Sequence, residues 1–167
     1  MPGLDDEGEL HFDMIGDRVL TIGKSVNSRL HTFRQTRNSD HESGGILLGR
    51  IFEKDLSCTV DEITTPTKPD RSSRHSFYRS NAHHKIAVDR WKKSDGTCIY
   101  LGLWHTHPEP DPSPSKVDFN DWKKAIVKGK FEGDSLLFAI VGTKKIRCWQ
   151  GIFSYGNSPL FHRLERR

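Results

Sequence analysis

Apolar positions recur along the chain with two periods, one suited to strands and one to helices. Residues 18–22 read as a short strand, after which Val26, Leu30 and Phe33 fall at i, i+4 and i+7, one face of a helix reaching about residue 35. The mostly apolar run 45–52 predicts a buried strand. Residues 58–64 alternate as its neighbour, across a hairpin-sized turn at Glu53, Lys54 and Asp55. Ile86, Val88 and Trp91 mark a second helix, with Asn81 as N-cap, that runs to about Lys93 and closes at Asp95-Gly96. A third strand covers 98–104. Proline then takes every second position from Pro108 to Pro114, which neither a helix nor a central strand tolerates. Ser115 opens a third helix to about Lys128, and a last pair of strands, 136–141 and 146–152, meets across Gly142 to Lys145. Helices and strands interleaved in this way predict an α/β fold of the mixed α+β kind: a single domain with a central mixed sheet flanked by about three helices. Residues 65–80, rich in Pro, Ser, Arg and Lys, read as a long surface loop. Residues 1–15 read as a polar lead-in, which leaves 16–167 as the domain.

Bulk composition narrows the class without naming a chemistry. The length of 167 residues suits one domain with a real core better than two. A share of 34% hydrophobic and 29% charged residues excludes a disordered chain. The longest apolar run, 136–141, is far too short for a bilayer, so no membrane association is expected. The acidic start, Met1 to Glu7, lacks the cationic-then-apolar pattern of a secretory signal, and a cytoplasmic location is the default expectation. Cys58, Cys98 and Cys148 are odd in number and sit in apolar or strand-like contexts, which reads as buried free thiols rather than disulfides or ligands. A net charge of +4 and a pI near 9.0 favour acidic partners. The bases are scattered in pairs such as Lys92-Lys93 and Lys123-Lys124 and form no stripe, so a nucleic-acid partner is not expected.

The informative segment is Trp104-His105-Thr106-His107-Pro108 followed by Ser115-Lys116-Val117-Asp118. Side chains two apart on an extended chain point to the same side, so His105 and His107 aim two imidazoles at one place. The proline-alternating connection is stiff and returns the chain at a set distance. Asp118 then arrives in the first turn of the next helix. Two imidazoles and a carboxylate are three protein ligands, the number a catalytic zinc takes while keeping one position open. Each part also has an ordinary reading. His-x-His at a strand edge is often polar surface, and Ser115-x-x-Asp118 is a good capping box. The long combined spacing is what favours the metal.

That spacing, His105-x-His107-x7-Ser115-x2-Asp118, resembles the metal signature of the JAMM (MPN-plus) zinc metallopeptidases, with every position filled. The stretch Glu42-Ser43-Gly44-Gly45-Ile46-Leu47-Leu48-Gly49 resembles the family's second element, a glutamate ahead of a glycine-containing apolar strand. The resemblance implies one Zn2+ held by His105, His107 and Asp118, with Glu42 as general base and then acid and Ser115 steadying the oxyanion. Glu53 and Glu62 are rival bases on composition; the glycine context selects Glu42. His31, His41, His75, His83, His84 and His162 lack ligand spacing and read as surface or packing residues. Trp104 is either a wall beside the ligands or a plain core tryptophan.

Members of that family cut the peptide or isopeptide bond after the C-terminal tail of a ubiquitin-like protein. An extended tail of that kind can add as a strand. The 65–80 loop, with Lys68, Arg71, Arg74 and Arg79, reads either as a clamp for the tail or as a solvated loop. Only residues 129–134 separate the third helix from the next strand, without the second insertion of the eukaryotic ubiquitin-specific members. The compact domain is similar to the prokaryotic JAB branch. The resemblance therefore implies a protein conjugated through its C-terminus as substrate, such as a nucleotidyltransferase in a bacterial antiphage (CBASS) system, with ubiquitin-like-pathway activating or conjugating enzymes as further partners. The alternatives are a metal-free MPN-type scaffold, a hydrolase of small peptide or sulfur-carrier substrates, and a DNA-associated metal protein.

Overall fold

Near-continuous burial marks the central strands, and alternation marks the outer ones. In chain order the elements are β1 (Leu10–Met14), β2 (Arg18–Ile22), α1 (Lys24–His31), β3 (Gly44–Ile51), β4 (Cys58–Ile63), β5 (Arg71–Ser73), β6 (Ser76–Tyr78) and α2 (Ala82–Lys93). They continue with β7 (Ile99–Thr106), α3 (Lys116–Lys128), β8 (Ser135–Val141), β9 (Ile146–Phe153), β10 (Pro159–Arg163) and β11 (Glu165–Arg166). The structure, a computed structural model, describes residues 8–153 and 158–167.

Nine strands form one mixed sheet in the order β10-β9-β8-β7-β3-β4-β2-β1-β11, and β5 and β6 form a separate hairpin. The β2/β4 and β7/β8 pairs are parallel and the remaining pairs antiparallel. The expected mixed sheet with three helices is therefore present among the described residues. Leu10, Phe12 and Met14 are buried and alternate with His11 and Asp13, so this part of the stretch read as a lead-in is a strand of the sheet. The acidic residues 1–7 lie outside the described residues. The region read as a loop, 65–80, contains the β5–β6 hairpin. β10 gave no clear signal because it is an edge strand with little burial to pattern it.

The two faces of the sheet bury different clusters. One face packs Leu20, Ile22, Leu47, Leu101, Trp104 and Leu137 with Val26 and Leu30 of α1. The other carries α2 over β3 and β7, and α3 over β8, β9 and β10. Trp122 and Ile126 of α3 enter a cluster with Phe138, Ile140 and Trp149 there. β7 changes parity in its middle. Leu47 pairs with Gly102 but Leu48 pairs with Tyr100, so Leu101 is an extra residue, a β-bulge. Ile99 and Leu101 before it and Trp104 after it face α1, whereas Tyr100 and Leu103 face the α2/α3 side. The bulge thus turns His105 toward α3. Gly102 permits this close pairing, since a Cβ there would stand 1.7 Å from the Leu137 carbonyl oxygen on β8.

Candidate metal centre

His105 is the penultimate residue of β7, and His107 follows the strand, its amide held by the Val141 carbonyl at 3.0 Å. The prolines between them and α3 return the chain so that the first turn of α3 faces both rings. Ser115 is the N-cap of α3. Its Oγ accepts from the Asp118 amide at 3.1 Å, and its own amide donates to Asp118 Oδ2 at 2.8 Å, a reciprocal capping box. This fixes the rotamer of Asp118 toward the histidines. His105 Nε2 lies 3.1 Å from Asp118 Oδ1, His107 Nε2 lies 3.0 Å from Oδ2, and the two Nε2 atoms are 3.1 Å apart. Three side chains therefore converge on one point.

Two imidazole nitrogens facing each other and one carboxylate form the donor set of a divalent ion of zinc's preference. Ligands about 2.0–2.1 Å from such an ion stand about 3.3 Å apart, close to the spacing seen here. By donor type and spacing these three residues could hold such an ion. Burial is extensive: His105 is 7% and His107 8% exposed, which keeps water from competing for the donors.

Glu42 is also buried. Its carboxylate oxygen, His105 and His107 offer ligand atoms that all lie within 4.8 Å of one another. Asp118 lies 3.1 Å from His105 and 3.0 Å from His107. Burial pushes its carboxyl up to about 7; the charge of His107 lowers it and that of Asp118 raises it further. Burial alone would lower His107, but Asp118 and Glu109 outweigh it and lift the ring to about 8. His105 falls below its ordinary value because burial outweighs Asp118. Burial raises Asp118, yet bonds to His105 and His107 hold it well below the carboxylate range.

Glu109 is a residue the sequence reading passed over. Its Oε1 accepts from His107 Nδ1 at 2.8 Å, which fixes the tautomer and leaves Nε2 free to bind a metal. Its signal was present: a carboxylate two residues beyond a candidate ligand. Glu53 is exposed in its turn and Glu62 pairs with Arg90 at 3.0 Å; neither joins the cluster.

Trp104 is fully buried on the other face, where it packs against Phe33 with ring centroids 5.4 Å apart and donates Nε1–H to the Thr64 carbonyl. The wall beside His105 is Trp122, 6.4 Å away. Strand alternation alone separates Trp104 from the site, because residues 104 and 105 are neighbours on β7 and point to opposite faces. His83 and His31 prove to be buried. His83 lies between Asp70 at 2.7 Å and Thr64 at 2.6 Å, and this unit anchors the base of the hairpin. Among the basic residues of that segment, Arg74 donates to the carbonyls of Arg37 and Asn38. Arg79 donates to those of Gly45 and Trp104. Both are structural ties rather than free cations on a loop.

Comparison with known proteins adds a family to this geometry. Residues 24–151 match the model of the prokaryotic homologs of the JAB domain. The chain is 36% identical over 136 residues to a CD-NTase/cGAS isopeptidase of Escherichia coli, covering 81% of this chain and 82% of that one. It is 40% identical over 119 residues to one of Pseudomonas aeruginosa (69% and 73% covered) and 36% identical over 144 residues to one of Vibrio cholerae (86% and 87% covered). A solution structure of a protein from Desulfitobacterium hafniense shares the fold, with a TM-score of 0.54 at 21% identity over 89% of each chain.

Proposed function

From the premise that this chain belongs to the prokaryotic JAB-domain family, we propose that it is a zinc-dependent isopeptidase that releases a CD-NTase from a conjugate formed through the CD-NTase's C-terminus, as part of bacterial antiphage defence. One observation carries the chemical part: the Nε2 atoms of His105 and His107 and the Asp118 carboxylate stand within 3.1 Å of one another beside a buried carboxyl. The names of the relatives carry the substrate.

His105, His107 and Asp118 hold the ion in this reading, and Glu109 orients His107. Zinc supplies Lewis acidity, lowering the pKa of water at its open position and polarising the scissile carbonyl. Glu42, with a carboxyl near 7, accepts a proton from the attacking water and returns it to the departing amine, a role worth about 10²–10⁴-fold. The Ser115 hydroxyl hydrogen, unused by the cap because Oγ accepts there, donates to the developing oxyanion. The Glu42 amide donates to the Ser73 carbonyl, so the β5–β6 hairpin flanks the base, which supports an extended tail lying along the hairpin by main-chain bonds.

The test is metal analysis of the purified protein beside a His105→Ala/His107→Ala variant, together with cleavage of a CD-NTase joined through its C-terminus to a reporter protein. About one zinc per chain is expected, absent from the variant, with reporter released by the parent alone. A parent that stays empty when offered zinc sinks the peptidase reading in favour of a metal-free scaffold.

A further inference from the structure

Thr106 lies between the two histidines but faces the other way, under the connection from α1 to β3. It is fully buried, and Gln35 is 2% exposed. Thr106 Oγ1 accepts from the Ser43 amide at 2.9 Å and donates to Gln35 Oε1 at 2.8 Å. Gln35 Nε2 donates to the Arg74 carbonyl at 2.8 Å and to the Asp40 carbonyl at 3.2 Å.

The proton assignment has no slack. Both Nε2 hydrogens of Gln35 go to carbonyls, which cannot donate, so its oxygen must accept. The Ser43 amide can only donate, so the single Thr106 hydroxyl hydrogen must go to Gln35. The result is a one-way chain of donation from the amide of the peptide that joins Glu42 to Ser43, through Thr106 and Gln35, to the hairpin carbonyl of Arg74. Main-chain bonds run beside it: Glu42 donates to Ser73 at 2.8 Å, and the Thr106 amide donates to Ser43 at 2.9 Å. The backbone of Glu42 is thus pinned on one side to the hairpin and on the other to the residue between the two ligand histidines.

We propose that Gln35 and Thr106 are positioning residues for the isopeptidase reaction, and that their bond holds Glu42 at its working distance from the His105–His107 pair while coupling that distance to the seating of the β5–β6 hairpin. The inference rests on the proposed function. Neither residue reaches the reacting atoms. They act because a buried hydroxyl and a buried amide with every hydrogen committed leave the Glu42–Ser43 peptide one position, and a general base misplaced by about 1 Å costs about a hundredfold in rate.

Thr106→Val keeps the shape but strands the Ser43 amide and the Gln35 oxygen; Thr106→Ser keeps the hydroxyl. With zinc-loaded full-length protein and the CD-NTase–reporter conjugate, the valine variant is expected to lose about a hundredfold in kcat. KM and zinc content should stay at the parent's values, the Ser43 amide should exchange faster, and the serine variant should regain most of the activity. Gln35→Met, read the same way, replaces Thr106→Val if the valine chain does not fold. Parental kcat in a folded, loaded variant overturns the inference and leaves the isopeptidase standing. Loss of zinc and of the thermal transition in step with activity overturns it as well, since that is what an ordinary core bond would do. A parent that cleaves nothing overturns both readings.

Discussion

At the scale of single residues the proposed function divides the labour of the centre between groups that hold the ion and a group that moves a proton. Glu42→Gln removes the proton acceptor but none of the three close donors. The variant is expected to keep its zinc and lose about 10²–10⁴-fold in cleavage rate; loss of the metal instead would make Glu42 a ligand. Glu109 acts through His107. Glu109→Ala should weaken metal affinity about 10–100-fold, measured by competition with a chromogenic chelator, and unchanged affinity would deny it that role. Ser115 caps α3, and one substitution separates that from the oxyanion role proposed for it. Asparagine caps a helix as well as serine does but has no hydroxyl. Ser115→Asn should therefore melt close to the parent while kcat falls about 10²–10³-fold, and an active variant would leave Ser115 as a cap alone.

At the scale of elements, the hairpin is the part whose position needs most explanation. It forms a two-stranded sheet of its own, held by polar bonds at its base and, through the Ser73 and Arg74 carbonyls, near its tip. Asp70 collects the amides of Thr67 and Ser80 and the ring of His83. Its burial works against the charged form, yet these donors outweigh it and hold the carboxyl well below its ordinary value. A depressed folded pKa stabilises the fold above the unfolded value, about 3.9, and that stability is lost as the pH falls below it. Asp70→Ala should cost about 3 kcal/mol at neutral pH, in denaturant melts, and flatten the acid limb of the stability profile. An unchanged acid limb would mean another carboxylate sets it. Among the main strands, the bulge at Leu101 and the close approach at Gly102 act together, one changing the parity of β7 and the other letting β8 pair beside it.

Across the whole molecule, the centre is peripheral to what holds the chain together. The larger buried cluster on the α1 face includes no ligand, and α3 packs through Trp122 and Ile126 whether or not Asp118 is engaged. Stripping the metal with a chelator should abolish cleavage while leaving the far-ultraviolet spectrum intact. Stability should fall by the linkage amount, about 4 kcal/mol at a thousandfold excess of zinc over its Kd, and the melting point with it. Global unfolding on chelation would show instead that the metal is a structural staple. No helix among the described residues is long and apolar enough to cross a membrane.

Much of this molecule was legible along the chain. Local spacing alone marked most strands and all three helices, because period and capping are properties of neighbouring residues. The same holds for His105, His107 and Asp118, which are tied by one strand end, one stiff loop and one capped turn. What folding decided concerns residues far apart in sequence. The bulge set which face of the sheet His105 looks onto, and α3, packed on that face, brought Trp122 beside it. Pairing of β3 with β7, which sets Gly44 opposite His105, carried Glu42 to the histidines. Nothing local to Glu42 could show this, since its partners lie some sixty positions further on. Burial, which lifts Glu42 to about 7 and leaves Gln35 and Thr106 no choice of partner, is a property of the closed structure alone.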